Sequence, residues 1–135
     1  MEASGKRSNS QLVRDFFTAL SAGDLKDELF TDDVSIWTNT AGKADKARFQ
    51  AGVKVLQSLF EAGYRYTVDS LTAEEDRVAA EAQARGKLKS GEDFHNTYMF
   101  MFRIRNGRIA SIAEHGNSIL VREKLVPLLQ AAMRR

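Results

Sequence analysis

The stretch FHNTYMFMFRIRNGRIASIAEHGN, residues 94–117, decides the fold. Its first half repeats with a period of two, the mark of a strand with one buried face. Asn96, Tyr98, Phe100 and Phe102 share one side, and Thr97, Met99 and Met101 the other. Asn106-Gly107 is a hairpin signal, and Arg108 to Asn117 reads as the return strand. Two registers suit this turn. A two-residue turn sets Arg105 opposite Arg108, a like-charge pair that repels. A three-residue loop with Gly107 left-handed pairs Ile104 with Arg108 instead, and this register is expected. It sets Phe102 opposite Ala110, Phe100 opposite Ile112 and Tyr98 opposite Glu114.

Upstream, Arg77 to Leu88 and Tyr64 to Leu71 read as two more strands, with turns at Ser90–Gly91 and Ala73–Asp76. A three-residue loop over Ser90, Gly91 and Glu92 sets Tyr98, Phe100 and Phe102 opposite Ala84, Ala82 and Ala80. Connections this short imply an antiparallel meander. A row of rings beside a row of alanines packs as core or leaves room for a ligand. The other side, with Thr97, Met99, Met101, Ala113 and His115, is apolar enough to need a helix or a second subunit over it.

The first half of the chain has helical spacing. Leu12, Val13, Phe16, Phe17 and Leu20 share a face, with Ser10 as N-cap and Gly23 as stop. Asp24 caps a short second helix carrying Leu25, Leu29 and Phe30, and residues 34–39 form a short strand. Asp45 opens a third helix through Phe49, Val53, Leu56 and Phe60, ended by Gly63. A last helical stretch follows Ile119, kinked or restarted at Pro127. The expected class is α+β: a curved antiparallel meander with N-terminal helices packed on its concave face around an apolar pocket. Residues 1–9 are expected as a disordered tail and 10–135 as one domain.

Composition limits the chemistry. Net charge is only +2, from 20 Lys+Arg interspersed with 18 Asp+Glu, which argues against a nucleic-acid partner. No apolar run reaches the ~18 residues of a membrane span, so no membrane partner is expected. The chain has no cysteine, which excludes disulfide and thiolate chemistry and points to the cytoplasm. His95 and His115, on different strands without cysteines, argue against a zinc site. Phosphate loop, dinucleotide fingerprint and GxSxG elbow are all missing, and no cofactor is expected.

Taken with AGDLKDELFTDDVSIW (residues 22–37), the stretch GEDFHNTYMFMFRIRNGRIASIAEHGNS (91–118) resembles the SnoaL-like branch of the nuclear transport factor 2-like superfamily. The resemblance runs from about Ser10 to Leu129. Its marks are a Gly-Asp helix break, an acidic pair before the first strand, an aromatic strand ending in Asn-Gly-Arg-Ile and an acidic residue late in the last strand. It implies a cone of sheet and helices around one pocket, often dimerised through the convex face. The superfamily includes isomerases, cyclases, hydrolases and proteins without catalysis, so fold alone leaves function open. The oxyanion and proton-transfer groups of ketosteroid isomerases fall on Phe16, Phe100 and Thr38, none of which matches. The Arg and two Asp of limonene epoxide hydrolase fall on Ala82, Ala84 and Glu114, and only Glu114 keeps the chemistry. Where the family often has Tyr and Asp after that site, this chain has His115 and Asn117.

Glu114 is therefore the candidate catalytic residue: among rings, desolvation disfavours its charge and moves its pKa toward neutrality. The expected ligand contacts are Tyr98, Asn96, Phe100, Ile112, Phe16, Trp37 and Thr38, with the facing of Trp37 left open by its alternation with Val34 and Ile36. Two functions fit. One is an enzyme that binds a small apolar or polycyclic molecule, Glu114 moving a proton without metal or redox cofactor. The other is a non-catalytic binding protein or dimeric scaffold in which Glu114 and Tyr98 pair. A homodimer through the outer sheet face is expected in both.

Overall fold

A computed structural model describes residues 7–134. Helix α1 (Asn9–Ala22) begins earlier than expected: Ser8, not Ser10, is its cap, accepting from the Gln11 amide at 3.1 Å. Gly23 ends it in the left-handed conformation at φ 72°. Of the nine residues expected as a tail, 1–6 lie outside the described residues. Arg7 pairs with Asp15 at 2.7 Å, and Asn9 is already helical. The helix expected from Asp24 is only a 3-10 turn, Asp27–Leu29. Phe30 instead opens β1 (Phe30–Thr38), where it pairs with Ile109 and both side chains are fully buried. Burial against a distant strand outweighs local helical spacing here.

A short β2 (Gly42–Ala44), absent from the sequence reading, turns back on β1. Asp45 caps α2 (Lys46–Ser58) as expected, accepting from Arg48 N at 2.8 Å. That helix stops short of Gly63 because Phe60 bridges to Leu88 and Glu61 N donates to Lys87 O at 2.8 Å. Strands β3 (Arg65–Glu74), β4 (Arg77–Lys87), β5 (Asp93–Arg105) and β6 (Arg108–Gly116) form the meander, and α3 (Ser118–Lys124) and α4 (Val126–Met133) close the chain. The sheet order is β2-β1-β6-β5-β4-β3. The sheet is mixed, not wholly antiparallel, because β1 runs parallel to β6. It remains open between its β2 and β3 edges. None of the described helices is long and apolar enough to cross a membrane.

Both hairpins differ in register from expectation. In β4–β5, Gly91 N donates to Leu88 O at 2.7 Å and Leu88 N to Glu92 O at 2.8 Å, so the loop is Lys89-Ser90-Gly91. Gly91, at φ 94°, takes the last loop position, where a type I turn needs its left-handed residue. Every pair shifts accordingly: Ala82 faces Tyr98, Ala80 faces Phe100 and Val78 faces Phe102.

In β5–β6 the turn has only two residues, Asn106 (φ 53°) and Gly107 (φ 75°), and Arg105 does face Arg108. Asp33 answers the repulsion by accepting from Arg105 Nη2 at 2.5 Å. One more step fixes the facing. Ala110 is bulged between the Ile104–Ile109 and Arg103–Ser111 pairs. Without that extra residue, Tyr98 would face His115 and Glu114 would turn outward. With it, Phe102 faces Ile112, Phe100 faces Glu114 and Tyr98 faces Gly116. Asn96, Tyr98, Phe100 and Phe102 thus share the concave face with Glu114, as the sequence implied, through different pairs.

Helix α1 lies on this face. Phe16 and Phe17 set their rings edge-on to Phe100 and Phe102, with centroids 5.0–6.3 Å apart. Alternate β5 side chains from Phe94 to Ile104 are buried, so the core lies between sheet and helices.

Candidate functional site

Glu114 has Phe100 beside it on β5 and Thr38 beside it on β1. Its side chain is half-buried, and among the described residues it has no hydrogen-bond partner. Its backbone oxygen accepts from Asn39 N at 3.0 Å. The Thr38 hydroxyl is engaged elsewhere, accepting from Ala41 N at 3.0 Å. Burial alone pushes the Glu114 carboxyl from 4.5 up to about 7. No neighbouring cation opposes that shift, as expected with Arg103, Arg105 and Arg108 at the far end of the hairpin.

Three tyrosines share this neighbourhood. Tyr98 and Tyr64 join hydroxyls at 2.8 Å. The Tyr66 ring packs on both, with centroids 5.2 Å from Tyr64 and 5.7 Å from Tyr98. All three phenols are held above their ordinary range, first by burial, with the Glu114 charge adding to it. The expected Tyr98–Glu114 pair is therefore not formed; the Tyr98 hydroxyl meets Tyr64 instead. Tyr64 is positioned by Gln57 on α2, whose amide accepts from Tyr64 N at 2.7 Å and donates to Tyr64 O at 2.9 Å and Leu20 O at 3.0 Å.

Asn96 is buried on the same face. Its Oδ1 accepts from Thr97 N at 2.8 Å and Asn117 N at 3.3 Å, tying β5 to the start of α3. Its Nδ2 has no partner among the described residues. Gly116 makes room for this cluster, since a Cβ there would lie 2.8 Å from the Tyr98 ring and 3.4 Å from Asn96 Nδ2.

The other expected contacts divide. Phe16, Phe100 and Ile112 are sealed core. Thr38 lies beside Glu114, but Trp37 does not: it pairs with Ala113 on the outer face and packs on His115, with ring centroids 5.0 Å apart. The parallel pairing of Ile36 with Ile112 sets that parity. An apolar pocket was expected at the centre of the concave face, where aromatic rings stand instead. Three clefts lie elsewhere: one of about 560 Å³ between α1 and β3, one of about 640 Å³ beside Gly63 and Gly86, and one of about 340 Å³ by Asp15 and Asp24. None is lined by Glu114. His95 is on the outer face, 3.0 Å from Gln83 Oε1. No His/Cys/Asp/Glu group suited to a metal occurs among the described residues. The sequence reading missed Tyr64, Tyr66 and Gln57, although Tyr64 and Tyr66 are two apart at a strand start and so share a face.

The SnoaL-like domain model matches residues 13–112 of the chain. No curated protein sequence is significantly similar to it. Among solved structures, IdmH, a candidate polyketide cyclase from Streptomyces antibioticus, is 22% identical, with 88% of this chain and 99% of IdmH covered at a TM-score of 0.76. AclR, a candidate hydroxylase from Streptomyces galilaeus, is 19% identical, with coverage of 93% and 89% at 0.73. A protein with a ketosteroid isomerase-like fold from Catenulispora acidiphila, solved with trimethylamine, is 16% identical, with coverage of 79% and 85% at 0.66. At these identities the likeness is one of fold.

Proposed function

We propose, for a chain that belongs to the SnoaL-like domain family, that Glu114 moves a proton on a small apolar molecule bound at the concave face. The observation behind this is a half-buried carboxyl with no described partner and a pKa pushed up to about 7. Near neutral pH such a group is populated in both forms, as a general acid–base needs. As carboxylate it takes a proton from a carbon next to a carbonyl, and as acid it returns that proton to another carbon or to an oxygen. The buried Tyr98–Tyr64 hydroxyl pair offers an O–H to the oxygen that gains charge. This step needs neither metal nor redox cofactor. IdmH, a candidate polyketide cyclase, suggests ring closure of a polyketide-like ketone as the first reaction to try. Its setting would be the cytoplasm, which suits a chain without cysteine.

Glu114→Gln tests the role. The folded pKa lies above the unfolded value, so wild-type stability should fall as pH rises from about 4.5 to about 7, by at most ~3 kcal/mol, and level off above that. The variant should lose this slope, melt at the same or a higher temperature at pH 7–8, and turn over no substrate. A marked loss of stability at pH 7 would instead mean that the carboxylate holds a structural partner.

A second reading, a non-catalytic binding or scaffold protein, is favoured by the rings that fill the concave face. In either case we propose a homodimer through the outer face. Trp37, Met99 and Met101 are 38%, 45% and 39% exposed there. Glu81, Arg85 and Arg103 bring both charge signs to the same face, which suits a two-fold interface that meets itself. Light scattering at tens of micromolar should give twice the chain mass, and Met99→Lys/Met101→Lys should give the monomer. A wild-type monomer would count against this interface.

A further inference from the structure

The groove between α1 and β3 has a mixed lining. Its floor is aromatic, made by Phe17 and Tyr66, and its lining also includes Thr18, Ser21 and two exposed arginines, Arg14 and Arg65. Neither arginine meets a carboxylate among the described residues.

The floor is one ring layer from Glu114. Phe17 packs edge-on to Phe100 at 5.0 Å, and Phe100 is the cross-strand neighbour of Glu114. Tyr66 spans the same layer: one side of it lines the groove, and its ring packs on Tyr64 and Tyr98. Its backbone N donates to Ser21 Oγ at 2.9 Å.

We infer that ligands reach Glu114 through this groove, with Tyr66 as the door and Arg14 and Arg65 holding an acidic group. This rests on the proposed role of Glu114 and names the ligand class: an apolar ring system bearing a carboxylate. The guanidiniums bind the carboxylate at the rim. The apolar part displaces the Tyr66 ring and lies against Phe17 and Phe100.

The probe is 2-naphthoate, with 2-naphthylmethanol as its uncharged counterpart, titrated into the full chain by NMR. Naphthoate should bind more tightly by roughly fivefold at low salt, the order expected of two exposed ion pairs. It should shift the amides of Thr18, Ser21 and Tyr66 and move the Glu114 carboxyl carbon. The preference should vanish in Arg14→Gln/Arg65→Gln and in about 0.5 M salt, while naphthylmethanol binding stays unchanged. Both arginines are exposed, so the double variant should fold as wild type does. Tyr66→Ala should tighten naphthylmethanol binding by opening the door; Tyr66→Phe, which keeps the ring, should not.

Absence of binding, equal affinity for the two probes, shifts centred on Arg85 and His95, or a Glu114 resonance that naphthoate leaves still would each overturn the inference. The role of Glu114 fails separately, if its carboxyl titrates near 4.5 in the free protein.

Discussion

Phe16→Ala should lower the stability of the protein by about 3–5 kcal/mol, a large part of the ~5–15 kcal/mol that holds a domain folded. Phe16 is fully buried, and its ring meets five others: Phe102 at 5.2 Å, Phe17 at 5.3 Å, Phe30 and Phe100 at 6.3 Å, and Phe49 stacked at 6.4 Å. Truncation leaves a void that rings from three sides cannot collapse to fill, so the transfer and cavity penalties add. Urea denaturation should show an early midpoint, and Phe16→Leu should recover part of the loss. A cost under ~1 kcal/mol would mean that α1 can shift into the space and that its packing on the sheet is loose.

Gly86→Ala should also be costly, for the opposite reason. A Cβ at Gly86 would lie 2.6 Å from Phe60 Cδ2 and 2.8 Å from the Gly63 carbonyl oxygen. The first contact can yield by a ring shift, but the second is backbone. Overpacking of this kind costs about 1–3 kcal/mol. The effect should reach the site as well, because Phe60 stacks on Tyr64 at 4.7 Å and Tyr64 holds the Tyr98 hydroxyl. Near-ultraviolet circular dichroism should change along with the unfolding midpoint. An unchanged tyrosine signal would show that Phe60 moves without disturbing Tyr64.

Local chemistry made part of this legible in the sequence. Gly23 and Asp45 bound their helices as capping rules require, and the alternation of β5 fixed which of its side chains share a face. Glu114 was placed on that face by parity, although both hairpin registers differ from expectation by two residues. In β5–β6 the two-residue turn alone would have reversed the facing, and the bulge at Ala110 restores it. No side-chain signal marks that bulge. The contacts with larger errors depend on distant partners. Phe30 and Trp37 take their facing from the parallel pairing of β1 with β6, which no local pattern announces. The Asn106-Gly107 turn, with both residues at positive φ, sets Arg105 opposite Arg108 despite their like charge, and Asp33 reaches Arg105 from a strand that spacing does not place there. Tyr66 on β3 meets Tyr98 on β5 across the small Ala82 and Ala84 of β4, a contact between non-adjacent strands that no one strand's pattern announces.

Folding places the Glu114 carboxyl in surroundings that disfavour its charge. A carboxyl carbon-13 NMR titration of uniformly labelled protein, with the Glu114 resonance assigned by its absence from Glu114→Gln, measures this directly. The midpoint should lie near 7; a midpoint at the ordinary value of 4.5 would mean that folding leaves the carboxyl solvated.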